Sequence, residues 1–228
     1  MEHRDWVYDD LRQVGLDFED EREVETYDAR QGGSAVKDAA LLERLGVGAG
    51  TAMADIGCGT GIMACQAAAM GARVQAVDVS AAMLRAVARR ADHAGVALDR
   101  RHAGFLTFEA TDLDLVTSKF ALHHLPDFWK AAALVRIHDA LKPGGRLYLE
   151  DVVFNCAPAA VAGTVEVWIG YMTAQTGYTR EDVACHVRDE HSTFGWIMER
   201  LITEAGFTLL QASYEEPVYA TYLAERPA

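Results

Sequence analysis

The chain has 228 residues, half of them hydrophobic, enough to bury one substantial core and too many for a disordered polypeptide. No apolar run approaches the ~20 residues needed to span a bilayer, so no membrane partner is expected. The formal charge is −13, and residues 1–30 alone hold eleven acids against four arginines, so long polyanions such as nucleic acid should be repelled.

Met1 to Tyr8 lack the basic segment and apolar stretch of a signal peptide, which predicts a cytoplasmic protein. The four cysteines, at 58, 65, 156 and 185, form no CxxC pair and no zinc spacing. A reducing compartment is expected, and no metal site.

Residues 2–30 interleave acids with Trp6, Tyr8, Leu11, Val14, Leu16, Phe18, Val24 and Tyr27, the pattern of short amphipathic helices whose apolar side must cover something. Ser34 can cap a helix carrying Val36, Ala39, Ala40, Leu42 and Leu45, with Gly46 ending it. The stretch Thr51 to Met70 then reads as a buried strand, a glycine loop and an apolar helix. Glycines at 57, 59 and 61 permit torsions closed to other residues and let a ligand lie against the main chain at a helix N-terminus. Asp78 closes the next strand 21 residues beyond Gly57, the spacing of a carboxylate that grips a ribose. Position 62 is isoleucine, so the loop is GxGxG rather than GxGxxG, and a dinucleotide is disfavoured.

Ser80 is the natural cap of a helix that turns Met83, Leu84 and Val87 inward and ends at Gly95. A third strand is expected near Val96 to His102, a fourth over Leu113 to Leu122, a helix from Pro126-Asp127 to Leu141, and a fifth strand from Arg146 to Val153 after the turn Pro143-Gly144-Gly145. Strands alternating with helices predict right-handed βαβ units and ligands beyond the carboxyl ends of the strands. Residues 155–191 break the alternation with helical segments carrying Trp168, Tyr171, Met172, Tyr178, His186 and His191. Ser192 could cap a helix from Thr193 to Ala205, and Phe207 to Tyr214 with Tyr219 to Ala224 should close the sheet as an antiparallel pair.

Asp55-Ile-Gly-Cys-Gly-Thr-Gly61 with Asp78 resembles the first motif and second-strand acid of class I S-adenosylmethionine-dependent methyltransferases. Phe120-Ala-Leu-His-His-Leu-Pro-Asp127 and Leu141-Lys-Pro-Gly-Gly-Arg-Leu-Tyr-Leu149 extend the resemblance in the right order, over roughly residues 35 to 154, and Glu204-Ala-Gly-Phe207 fits the family's last hairpin. The resemblance implies an α/β fold with a doubly wound, mostly parallel, seven-stranded Rossmann-like sheet, a C-terminal antiparallel hairpin and an N-terminal helical lid. One domain over 1–228 is expected: lid 1–33, cofactor core 34–154, substrate-region insertion 155–191, closing helix and hairpin 192–228.

The implied cofactor is S-adenosylmethionine, with S-adenosylhomocysteine (SAH) as product, and the implied activity is methyl transfer by direct displacement to a small-molecule acceptor. The alternatives are an RNA or protein methyltransferase and a non-catalytic S-adenosylmethionine sensor; an oligomer is compatible with either. By the resemblance, Asp55, Gly57, Cys58, Gly59, Thr60 and Gly61 surround the methionine half of the cofactor, Asp78 holds the ribose, and Val79 and Met83 flank the adenine, which also meets Gly104 and Phe105. Many relatives carry an acid where this chain has Gly104-Phe105-Leu106. Tyr8 or Tyr27 could touch the cofactor from the lid. Lys119 could hold the cofactor carboxylate or an anionic substrate, or snorkel to water. His123, His124, Asp151 and His191 are the candidate catalytic groups, with His186 competing; histidine titrates near neutrality and suits a general base.

Overall fold

The computed structural model describes residues 5–12, 19–31, 34–215 and 218–228. Val14, Leu16 and Phe18 of the predicted lid lie outside the described residues. Five parallel strands form the centre of the sheet: β1 (Ala52–Ile56), β2 (Arg73–Asp78), β3 (Asp99–His102), β4 (Leu113–Lys119) and β5 (Leu141–Phe154). A two-residue strand β6 (Thr193–Phe194) pairs off the main path with β5, and β7 (Thr208–Glu215) and β8 (Tyr219–Glu225) add an antiparallel edge. The order β3-β2-β1-β4-β5-β8-β7 reverses direction between β1 and β4, so a crevice opens beyond their carboxyl ends.

Eight helices surround this sheet among the described residues: α1 (Glu21–Gln31), α2 (Ala35–Arg44), α3 (Ile62–Ala69), α4 (Ala81–Ala94), α5 (Asp127–Ala140), α6 (Val161–Gln175), α7 (Arg180–Asp189) and α8 (Gly195–Glu204). None of them is long and apolar enough to cross a membrane. Alternation along the strands splits the core between two faces. Met53 and Leu115 pack with Leu42 of α2 and Met63 of α3, while Ala54 and Val116 pack with Leu134 of α5 and Ile202 of α8. Burying one such large aliphatic side chain contributes about 1.5–3 kcal/mol.

The predicted caps form where local chemistry alone decides them. Ser34 Oγ accepts from Lys37 N, Ser80 Oγ accepts from Met83 N at 3.0 Å, and Gly95 ends α4 in the left-handed region. Four boundaries differ from expectation because tertiary partners override local signals, and the first is the fourth strand, which ends at Lys119 rather than Leu122 because Phe120 turns the chain at a positive φ. Strand β3 starts at Asp99, since Val96 N–H still bonds Ala91 at the end of α4. Strand β5 starts at Leu141, because Gly144 N–H donates to Arg226 O and Arg226 N–H donates to Gly145 O, tying the expected turn to the chain after β8. Ser192 does not cap a helix; Thr193–Phe194 pair with Val153–Phe154, α8 begins at Gly195, and Ser192 Oγ lies 2.8 Å from His186 Nε2.

The acidic N-terminal segment folds over the carboxyl edge. Val24 of α1 is buried against Ala82 and Met83, Ala81 N–H donates to Glu19 at 2.7 Å, and Trp6 stacks on Trp129 with ring centroids 6.3 Å apart.

Candidate functional site

The first cleft is built by the glycine loop. Gly57 N–H and Cys58 N–H both donate to Val77 O, which pins the turn after β1 to the end of β2. Gly59 N–H then donates to Asp78 Oδ2, and Ser80 N–H to Asp78 Oδ1, both at 2.8 Å. Gly57, Gly59 and Gly61 all have positive φ. Asp78 is only 8% exposed, and burial raises its pKa to about 6 even though backbone N–H groups favour the carboxylate. A carboxylate has about four acceptor sites, so capacity remains for hydroxyls on the cleft side.

Of the predicted cofactor residues, Tyr27, Gly57, Gly59, Asp78, Val79, Met83, Gly104 and Phe105 line this cleft. Five others do not. Asp55 accepts from Thr117 Oγ1 at 2.7 Å behind the loop, and burial raises its pKa to about 6. Cys58 is a packed thiol whose pKa burial pushes well up. Thr60 Oγ1 donates to Asp28 of α1, which also pairs with Arg90, so it anchors the helix over the loop. Gly61 packs against Val87. Lys119 Nζ bonds Asp38 of α2 at 2.8 Å and sits 3.7 Å from Glu150, away from the first cleft.

The structure adds a residue that the sequence reading missed. Asp10 Oδ2 accepts from Leu106 N–H at 2.6 Å and lines the cleft, and a Cβ on Gly104 would come within 2.2 Å of that oxygen. Gly104 therefore admits, from the N-terminal segment, the carboxylate that the loop after β3 lacks. The signal was a small residue where relatives carry an acid, but the carboxylate comes from far along the chain, 96 positions from the Leu106 N–H it accepts.

A second cleft lies beside the first, and Tyr27, Phe120 and His124 line both. Phe120 holds a φ of 51°, rare for a bulky residue, with its N–H donating to Glu150 O. This turns the chain after β4 so that the short helical turn Leu122–His124 faces the sheet edge. Other walls of the second cleft come from β5, β7, β8 and the 155–191 region, including Trp168, Tyr171, Tyr178 and His186.

The histidines have distinct surroundings. Burial would push His123 down, but Asp151 at 2.5 Å from Nδ1 and Glu190 at 3.2 Å from Nε2 outweigh it and hold the pKa at about 9. Asp151, fully buried, also accepts from His123 N–H at 2.9 Å, and it backs His123 without lining either cleft. His123 keeps its carboxyl below the usual range despite burial. His124 is pushed down to about 3, by burial first and then by His123, and stays neutral. His191 lines neither cleft: its N–H donates to His123 O, its carbonyl accepts from buried Lys130, and its ring is not brought to the site.

Residues 53–145 match a family described as a methyltransferase domain. A ubiquinone biosynthesis O-methyltransferase of Xanthomonas axonopodis pv. citri is 33% identical over 118 residues, 50% of this chain and 47% of that protein. The chain thus spans about half the length of the curated relatives it matches. Among solved structures, a SAM dependent methyltransferase from Aquifex aeolicus aligns over 91% of this chain and 98% of its own, with TM-score 0.66 and 15% identity. Magnesium protoporphyrin IX methyltransferase from Synechocystis, with bound SAH, aligns over 90% of this chain and 86% of its own, with TM-score 0.63 and 16% identity. These two likenesses concern the fold. The glycine loop, the strand order and the matched segment over residues 53–145 together support a class I S-adenosylmethionine-dependent methyltransferase.

Proposed function

We propose that the chain transfers a methyl group from S-adenosylmethionine to a small-molecule acceptor, with the cofactor in the first cleft and the acceptor in the second. The observation that carries this reading is that the two clefts share the wall of Tyr27, Phe120 and His124, so a donor and an acceptor can meet there. When bound, the sulfonium supplies an electrophilic methyl carbon: the acceptor's lone pair forms the new bond, the carbon–sulfur bond breaks, SAH leaves and the acceptor sheds a proton. The protein's part is to orient and to exclude water, which can supply much of the rate. Asp78 holds the ribose hydroxyls and Val79 and Met83 enclose the base, with Asp10 at its edge. Tyr27, whose ring lies 3.6 Å from where a Cβ on Gly59 would stand, covers the loop from α1. The N-terminal segment thus serves as lid and residues 155–191 as acceptor wall, within one working unit.

A charge of −13 favours a small acceptor over nucleic acid. The Xanthomonas relative is named an O-methyltransferase, which puts hydroxyl acceptors first among those to test. Four free cysteines fit a reducing compartment, and we place the protein in the cytoplasm.

His124, at the shared wall, orients the acceptor. His124→Ala is expected to lower turnover at least tenfold while SAH affinity, measured calorimetrically, changes less than about threefold; an unaltered rate would return His124 to packing alone. Asp78 gives a pH dependence. Its ligand-free pKa of about 6 lies above its ordinary value, so below about pH 6 it is protonated and a poorer acceptor for ribose hydroxyls. SAH affinity should therefore be flat at neutral pH and fall as pH drops through about 6, and Asp78→Asn should remove that fall. A wild-type affinity independent of pH between 5 and 7 would contradict this role.

A further inference from the structure

Methyl transfer leaves one cluster in the second cleft without a task. His123, on the turn after β4, and His186 with Glu190, at the end of α7, each offer a ligand atom, and the three atoms lie within 4.8 Å of one another. His186 and Glu190 are one helical turn apart, but His123 joins them from a distant turn, so no local spacing in the sequence announced the cluster.

Each imidazole is oriented through its other nitrogen. His123 Nδ1 faces Asp151 at 2.5 Å, and Asp151 is itself fixed by the backbone N–H groups of His123 and Val152. With Nδ1 held by that carboxylate, Nε2 is the nitrogen directed at Glu190, and loss of its proton would make it a metal ligand. His186 Nε2 sits 2.8 Å from Ser192 Oγ, which leaves Nδ1 toward the same Glu190 carboxylate. Glu190 Oε2 is buried and accepts no hydrogen bond of proper angle, although both imidazoles touch it. Two imidazole nitrogens converging on one buried carboxylate oxygen make a pocket that favours positive charge, filled by the His123 proton or by a metal ion in its place. A carboxylate or hydroxyl behind each ligating histidine is the usual outer arrangement of a metal centre.

We propose that His123, His186 and Glu190 bind one divalent first-row transition ion of the zinc class, with its remaining coordination positions open to the second cleft. Two imidazoles and one carboxylate are the donor set such ions accept, whereas calcium and magnesium prefer oxygen ligands. All three ligand residues line the cleft beside Trp168, Tyr171 and Tyr178, so an oxygen-bearing acceptor can complete the coordination and be held toward the shared wall. The acceptor-holding role rests on the methyl-transfer reading; the binding of the ion does not.

The test uses the full chain, stripped with chelator and titrated with Co²⁺, then with Zn²⁺ against a chromophoric competitor. The expected result is one equivalent per chain, visible d–d bands of a low-coordinate Co²⁺ site, and a Zn²⁺ Kd at or below about 1 μM. His186→Ala should abolish the bands, Glu190→Gln should weaken Zn²⁺ at least tenfold, and Asp151→Asn about 10–100-fold through His123. His191→Ala and Cys185→Ser should bind as the wild type does. SAH calorimetry in the first cleft reports folding of each variant, and if His186→Ala loses SAH binding the near-isosteric Glu190→Gln decides. No tight ion in the wild type, or wild-type binding by Glu190→Gln, overturns the metal site. SAH binding without metal binding would sink this inference and spare the cofactor reading; metal binding without SAH binding would do the reverse.

Discussion

Replacing Asp78 with alanine is expected to weaken SAH binding at least tenfold while the chain stays folded. The carboxylate does two jobs at once. Its oxygens accept Gly59 N–H and Ser80 N–H at 2.8 Å each, fixing the glycine loop against α4, and its remaining lone pairs face the cleft. A hydrogen bond to a charged group contributes about 1.5–3 kcal/mol, and about 1.4 kcal/mol is tenfold in affinity, so loss of even one ribose bond reaches the expected threshold. The fold should survive, because the raised pKa shows that burying this charge is itself unfavourable, and its removal offsets part of the lost backbone bonding. Asp78→Asn, which keeps one acceptor oxygen, should fall between. Unchanged affinity in Asp78→Ala by calorimetry would remove Asp78 from the cofactor site.

Gly57→Ala is expected to be the most damaging single substitution in the loop. Its φ of +71° costs an L-residue about 1–2 kcal/mol, and the added Cβ would lie 2.2 Å from Ala121 Cβ. Ala121 begins the turn that carries His123 and His124, so relief must move backbone on one side or the other. The combined loss should exceed about 3 kcal/mol, a Tm drop of roughly 6–12 °C at this chain length. Gly144→Ala is the control: φ is +78°, but the Cβ would enter open space, so only backbone strain is introduced and Tm should fall by about 2–8 °C. Equal drops in the two variants would mean that Ala121 does not constrain the loop.

What was legible in the sequence is what short-range chemistry decides. Ser80 before an apolar-periodic run, Gly95 after it, three glycines behind a buried strand and Asp78 on the next strand each announce themselves within a few residues, and the sheet order follows from their alternation. The closing hairpin was equally clear, since β7 and β8 fall within a residue or two of the expected pair. The site beyond the glycine loop was not legible, because its side chains are assigned by contacts that no local pattern encodes. Lys119 ends a strand at the functional edge, yet Asp38 of α2 draws it away from the first cleft. Asp10 enters from the N-terminal segment only because Gly104 leaves room. His123 and His124 are adjacent in sequence and opposite in charge state, because Asp151 and Glu190 face one ring while burial dominates the other. Ser192, by pattern a helix cap, turns to His186 once Thr193 joins β5.

The most direct test of the central claim is SAH release by the purified protein from S-adenosylmethionine, against a panel of hydroxyl, thiol, amine and carboxylic acid acceptors, with Asp78→Ala alongside. Methyl transfer predicts release with at least one acceptor class, hydroxyls first, and loss of that release in Asp78→Ala at limiting cofactor. Tight cofactor binding with no release from any acceptor class would contradict it and leave a cofactor-sensing module in its place.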